Sequence, residues 1–108
     1  MGIDVNLIDK EGNNALFEAS FEKSKLLVAA GIDVNIINKR DDTALWLANS
    51  KETEDLLIEN GAKIPSKLVD DYQYRDKKRC NEMLVKIEKN HLMKKISSND
   101  DSLLKKRL

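Results

Sequence analysis

The sequence is short of nearly everything that chemistry requires. It has a single cysteine, Cys80, and a single histidine, His91, and its four glycines stand apart at positions 2, 12, 31 and 61. One cysteine excludes a disulfide within the chain and fits a reducing compartment. Scattered glycines exclude a phosphate-cradling loop. No stretch approaches the roughly 18 apolar residues that cross a bilayer, and the start lacks the basic-then-apolar pattern of a leader, so the expectation is a soluble, cytoplasmic protein without membrane contact. His91 is expected on the apolar side of a basic helix, in a packing role. Cys80, although beside Lys77, Lys78 and Arg79, falls on an apolar stripe and is expected to be a buried thiol. Asp41-Asp42, Asp70-Asp71 and Asp100-Asp101 are adjacent pairs whose carboxylates point in different directions, without the spaced oxygen ligands of a calcium loop. No nucleophile with a base, acid–base pair or metal cluster emerges, so the chain reads as a non-enzyme with no cofactor, metal or small-molecule substrate.

What the sequence does have is a copy of itself. Gly2-Ile3-Asp4-Val5-Asn6 recurs as Gly31-Ile32-Asp33-Val34-Asn35, and the match continues without a gap to Ala15-Leu16 and Ala44-Leu45. A third copy starts at Gly61-Ala62-Lys63-Ile64 and then departs. A period near 30 residues marks a repeat architecture, in which each unit buries its apolar face against a neighbour. Within each unit the order is the same. Val5-Asn6-Leu7-Ile8 and Val34-Asn35-Ile36-Ile37 have the composition of short extended arms. Lys10-Glu11-Gly12-Asn13 and Lys39-Arg40-Asp41-Asp42 have that of turns. Asn14 and Thr43 cap a first helix of about two turns, and Leu26-Leu27-Val28 and Leu56-Leu57-Ile58 lie in a second helix, with Ser50 capping the later one. Gly31 and Gly61 close these helices in a left-handed conformation.

Read in this order, the residues resemble the ankyrin repeat family. The resemblance rests on Gly-Ile-Asp-Val-Asn at 2 and 31, Asp-Lys-Glu-Gly-Asn at 9–13, Ala-Leu at 15 and 44, Leu-Leu-Val-Ala-Ala-Gly at 26–31 and Leu-Leu-Ile-Glu-Asn-Gly at 56–61. Both copies fall short of the family's length of about 33 residues. An aromatic, Phe17 or Trp46, stands where the family's Thr-Pro-Leu-His motif has histidine. The resemblance implies an all-α, ankyrin-like helical solenoid with short extended hairpin arms and a helical C-terminal cap. It also implies protein binding through the tips and the inner face of the first helices. Carried over position by position, the partner-binding residues are Ile8, Lys10, Glu11, Asn13 and Phe17 in the first unit and Ile37, Lys39, Arg40, Asp42 and Trp46 in the second. Glu11 becomes Arg40 and Asn13 becomes Asp42 between units that otherwise copy each other, as a recognition surface on a repetitive scaffold would show. For Phe17 and Trp46, packing between units is the competing role.

The expected organisation is one repeat domain at 1–96, with units at about 2–30 and 31–60, capping helices at about 61–96 and a flexible polar and basic tail at 97–108. Pro65-Ser66 reads as a helix start, followed by helices at 66–74 and about 77–93, with one continuous helix as the rival reading. Leu68, Val69 and Tyr72 form one apolar stripe and Cys80, Met83, Leu84 and Ile87 another. The run from Gln73 to Arg79 is polar on every face. Met1-Gly2 begins at the extended arm with no helix pair before it, so a partner, a second copy or a missing earlier segment is expected to cover that face.

Charge is divided rather than absent. Residues 1–65 carry seven Lys/Arg against twelve Asp/Glu, and residues 66–108 carry twelve against seven. Opposite ends of opposite sign can steer a partner or pair with another copy. The function expected is a non-enzymatic protein–protein interaction module for a protein partner of unstated identity, with inhibition of that partner, as by an immunity-type protein, as a subordinate reading. The alternative is a self-associating structural protein, a homodimer included, joined through the uncapped first unit. Nucleic-acid binding through Arg75–Arg79 and Lys105-Lys106-Arg107 is disfavoured, because acidic residues interrupt the first run and the acidic units would repel a duplex.

Overall fold

The structure, a computed structural model, describes the backbone of residues 5–107 and the side chains of residues 5–94. Every regular element among these residues is helical. A 3-10 turn at Ala15–Glu18 and helix α1 (Phe21–Ala29) form a first pair, and α2 (Ala44–Leu47) and α3 (Lys51–Glu59) form a second. A 3-10 turn at Ser66–Leu68 then leads into α4 (Val69–Arg75) and α5 (Lys77–Arg107). The first 3-10 turn packs on α2, α1 on α3, and α3 on α5.

Caps decide where the helices start. Asn14 Oδ1 accepts from the Leu16 amide at 3.1 Å, and Thr43 Oγ1 accepts from Trp46 at 3.2 Å. Ser20 and Ser50 do the same for Lys23 and Thr53 at 3.2 and 3.1 Å. These serines also shorten the elements before them. The expected two-turn first helices are four residues each, because Ala19 and Ala48 turn extended to bring the serines into capping position. The longer helices end as expected: Gly31 and Gly61 take φ of +92° and +96°, and the amides of Ile32 and Ala62 return to Leu27 and Leu57 carbonyls at 3.1 and 2.9 Å.

The arms differ from expectation. Among the described residues they pair in no strand ladder. Asparagine side chains take the place of a ladder: Asn6 Oδ1 accepts from the Asp33 amide at 2.7 Å, and Asn35 Oδ1 accepts from Lys63 at 3.0 Å while its Nδ2 donates to Gly61 O at 2.9 Å. Arms of a few residues offer too little backbone for pairing, whereas one carboxamide supplies a donor and an acceptor. Counted from Gly61, the position of this asparagine is taken by Pro65, so the ladder stops where the cap begins.

One apolar core runs through both pairs and into the cap. Leu16, Phe17, Ile32, Leu45, Leu57, Ile58, Tyr72, Cys80 and Met83 are buried in it, and the Trp46 ring stacks on Tyr72 with centroids 4.3 Å apart. The expected stripes at Leu68 and Tyr72 and at Cys80 and Met83 face this core. The cap is two helices, broken at Asp76, whose carboxylate accepts from the Arg79 amide at 3.1 Å and so caps α5. Beyond that point no glycine or proline interrupts the chain, and α5 runs to Arg107, well past the expected end near 93. The docking or flexibility expected of the 97–108 tail concerns side chains outside the described residues. His91 is exposed, not packed. Asn90 and Lys94 already bond to Ile58 O and Glu59 O at the end of α3, so α5 there passes beyond its neighbour.

Candidate protein-binding tips

The two turns are built twice by the same four bonds. In the first, the Asp9 amide donates to Asn13 O at 2.9 Å and Gly12 N–H to Asp9 O at 3.0 Å, while Asp9 Oδ1 accepts from Glu11 and Asn13, both at 2.9 Å. In the second, Asn38 donates to Asp42 O at 3.0 Å and Asp41 to Asn38 O at 3.1 Å, while Asn38 Oδ1 accepts from Arg40 and Asp42, both at 2.9 Å. The left-handed corner is Gly12 at φ +84° in one and Asp41 at φ +61° in the other. An aspartate tolerates that region better than most side chains. Backbone amides, that of Asn13 foremost, hold the Asp9 carboxyl below its ordinary range. Asn38 makes the same turn without a charge, and its free Nδ2 donates to Asn13 Oδ1 at 2.8 Å. Together with Lys39 N–H on Glu11 O at 3.0 Å, this bond locks one tip onto the next.

The structure sorts the ten sequence-derived positions. Ile8, Lys10, Glu11, Lys39 and Arg40 are exposed along the tips. Asn13 is spent on Asn38, and Ile37 is half-buried against the core. Phe17 is buried, so its packing role holds and it presents no face to a partner. Asp42 and Trp46 are taken up by the cap: Asp42 pairs with Arg75, and Trp46 lies between Tyr72 and the Arg79 guanidinium, whose carbon is 5.3 Å from the ring centroid.

That cap contact is what sequence reasoning missed. The basic run does not stay in solvent on every face, because Arg75 and Arg79, one helical turn apart across the α4–α5 joint, reach back onto the second unit. Arg75 bonds Asp42 and the Arg40 carbonyl, and its guanidinium also sits 5.2 Å over the Tyr72 ring. Arg79 donates to Trp46 O at 2.9 Å and Ala48 O at 3.1 Å and meets Glu54 at 3.3 Å. The Tyr72 hydroxyl donates to Asp41 O at 2.7 Å, and burial raises its pKa. A tryptophan and two tip aspartates in a unit followed by spaced arginines was the available signal.

Cys80 is buried and its thiol is pushed up by desolvation, away from the thiolate a nucleophile needs. Among the described residues no group of three His, Cys, Asp or Glu side chains is placed to hold a metal ion. No helix among them is long and apolar enough to cross a membrane. No protein-family model, curated protein or solved structure matches this chain.

Proposed function

We propose that the chain is a non-enzymatic protein-binding module, an ankyrin-like solenoid of two short units and a helical cap that offers its stacked tips to a protein partner. The observation that carries the reading is the duplicated turn. The same bonds hold both tips, two further bonds join them, and the side chains of Lys10, Glu11, Lys39 and Arg40 are left exposed. A surface fixed in advance loses little entropy when a partner docks. The charge along it, three basic side chains (Lys10, Lys39 and Arg40) and one acidic (Glu11), suits a partner face of mixed sign and sets register more than affinity.

The test is site-specific photo-crosslinking from positions 10 and 40, with position 26 on the outer side of α1 as control. Capture of one and the same protein from 10 and 40 but not from 26, and its loss on Lys10→Glu with Arg40→Glu, is the expected result. Capture from 26 alone would move the interface off the tips.

A further inference from the structure

The corners that end the two longer helices differ by one residue. The first unit closes α1 with Ala30-Gly31, and the second closes α3 with Asn60-Gly61, the chain's one Asn-Gly pair. Glycine is needed at both corners, because φ of +92° and +96° lies in the left-handed region. Asn60 and Gly61 are both exposed. An asparagine before glycine carries its own chemistry: with no Cβ in the way, the glycine nitrogen can reach the asparagine carboxamide carbon. The nitrogen gives up its proton and bonds to Cγ, the carboxamide leaves as ammonia, and a cyclic imide results. Water then opens the imide at either carbonyl, to an aspartate or to an isoaspartate whose main chain runs through the side-chain carbon.

The fold holds the two reacting groups apart. Gly61 N–H donates to Ile58 O at 3.1 Å, and Asn60 Nδ2 reaches back along α3 to Leu56 O at 2.8 Å. Ring closure has to swing the Gly61 nitrogen against Cγ of Asn60, which breaks both bonds and carries Ala62 N–H off Leu57 O. The last turn of α3 must therefore open before the chemistry can start. Neighbours resist that opening. Asn90 of α5 donates at 3.1 Å to Ile58 O, the carbonyl that Gly61 also uses, and Lys94 donates to Glu59 O. From the arm of the second unit, Asn35 Nδ2 holds Gly61 O at 2.9 Å.

We propose that Asn60 is a modification site, converting without an enzyme to aspartate and isoaspartate, and that docked α5 sets its rate by holding the end of α3 closed. The change runs one way and falls on the joint between the second unit and the cap. A carboxylate at position 60 faces Leu56 O with no donor, at the negative end of α3. Isoaspartate also lengthens the main chain between 60 and 61, which shifts Gly61 O off Asn35 and Ala62 N–H off Leu57 O. A modified copy is a copy with a loosened cap. No exposed tip residue takes part, so this inference is independent of the binding role above.

The experiment incubates the full chain in mildly alkaline buffer, folded and in urea, then digests it with trypsin and follows peptide 52–63 by mass spectrometry. Asn60 is the one asparagine of that peptide. Amide loss with two products, aspartyl and isoaspartyl, is expected in both samples, and it is faster in urea. In the folded chain Asn90→Ala speeds it about fivefold, the worth of one hydrogen bond in an opening equilibrium. Arg79→Ala, which removes bonds from the other end of α5, leaves the folded rate near that of the unmutated chain. A peptide that keeps its amide in urea overturns the proposal, and so does an aspartyl product alone, which marks direct hydrolysis without the imide. Equal rates folded and in urea would show that the fold does not gate the site. Equal acceleration by Arg79→Ala and Asn90→Ala would move the gate from the α3 corner to release of the whole cap, which also overturns it.

Discussion

The first and second units share their arm, their turn and their Ala-Leu pair, yet matching side chains end in different surroundings. Leu57 is 1 % exposed whereas Leu27 is half-buried, and Ala44 is buried whereas Ala15 is exposed. The second unit lies between the first and the cap, while the first has a described neighbour on one side only. In a stack, burial belongs to the place a unit occupies more than to its letters. The sharpest way to break the likeness is a paired truncation. Leu57→Ala empties a fully enclosed site and is expected to cost about 2–5 kcal/mol, and Leu27→Ala is expected to cost about half as much or less. Urea midpoints of the two variants measure the gap, and equal losses would show that the first unit is covered after all.

The tip corners test the same comparison at the backbone. A Cβ on Gly12 would come within 3.1 Å of Asn38 Cα and 3.2 Å of Lys39 N, at a φ of +84° that L residues avoid. Gly12→Ala is therefore expected to cost about 2 kcal/mol, from left-handed strain and from pushing the second tip off the first. Its mirror image, Asp41→Gly, relieves strain at φ +61° but frees the unfolded chain, and the two effects of about 1 kcal/mol each nearly cancel. Thermal melts of the two variants should differ accordingly, and a destabilised Asp41→Gly would mean that its side chain holds the corner.

Arg79→Ala strips part of the cap from the second unit and makes it more like the first. Two carbonyls, Trp46 O and Ala48 O, lose a charged donor, and Trp46 loses a cation over its ring. The sites are partly open to water, so the expected cost is about 1 kcal/mol, and a change at the exposed neighbour Lys78→Ala should stay within about 0.5 kcal/mol. Trp46 fluorescence reports the cap directly. An unchanged emission and midpoint in Arg79→Ala would remove the arginine from the account.

These contrasts also show what was legible in the letters. Helix starts at Asn14, Thr43 and Ser50 and ends at Gly31 and Gly61 could be read because each depends on one local residue with a known backbone preference. The two cap stripes could be read because their spacing matches one helix face. What could not be read depends on residues far apart in sequence. Arg75 meets Asp42 across 33 positions and Asn6 meets Asp33 across 27, and no periodicity reports such a pairing. The length of α5 was missed for a different reason: polar composition near its end suggested a tail, but nothing in it breaks a helix. Of the positions that the ankyrin resemblance implied, Ile8, Lys10, Glu11, Lys39 and Arg40 are exposed at the tips. Phe17, Asp42 and Trp46 went inward or to the cap because a stacked neighbour claims the inner face first.

The smallest difference between the units is one atom type at one position, Asp9 against Asn38, and pH separates them. Both side chains accept from two tip amides, but only Asp9 titrates. Its folded-state pKa is lowered, chiefly by the Asn13 amide, so the stability it lends the first tip is fully present above the ordinary carboxylate value and is lost as pH falls through the depressed folded value. Amide chemical shifts and exchange rates at Glu11 and Asn13 should therefore change together in acid, below the range where exposed aspartates titrate. Asp9→Asn should flatten that dependence and make the first tip behave as the second does, with slightly weaker protection near neutrality because a neutral acceptor replaces a charged one. If the Glu11 and Asn13 amides of Asp9→Asn still follow the same acid transition, the carboxylate is not what organises the first tip, and the likeness of the two turns would rest on the backbone alone.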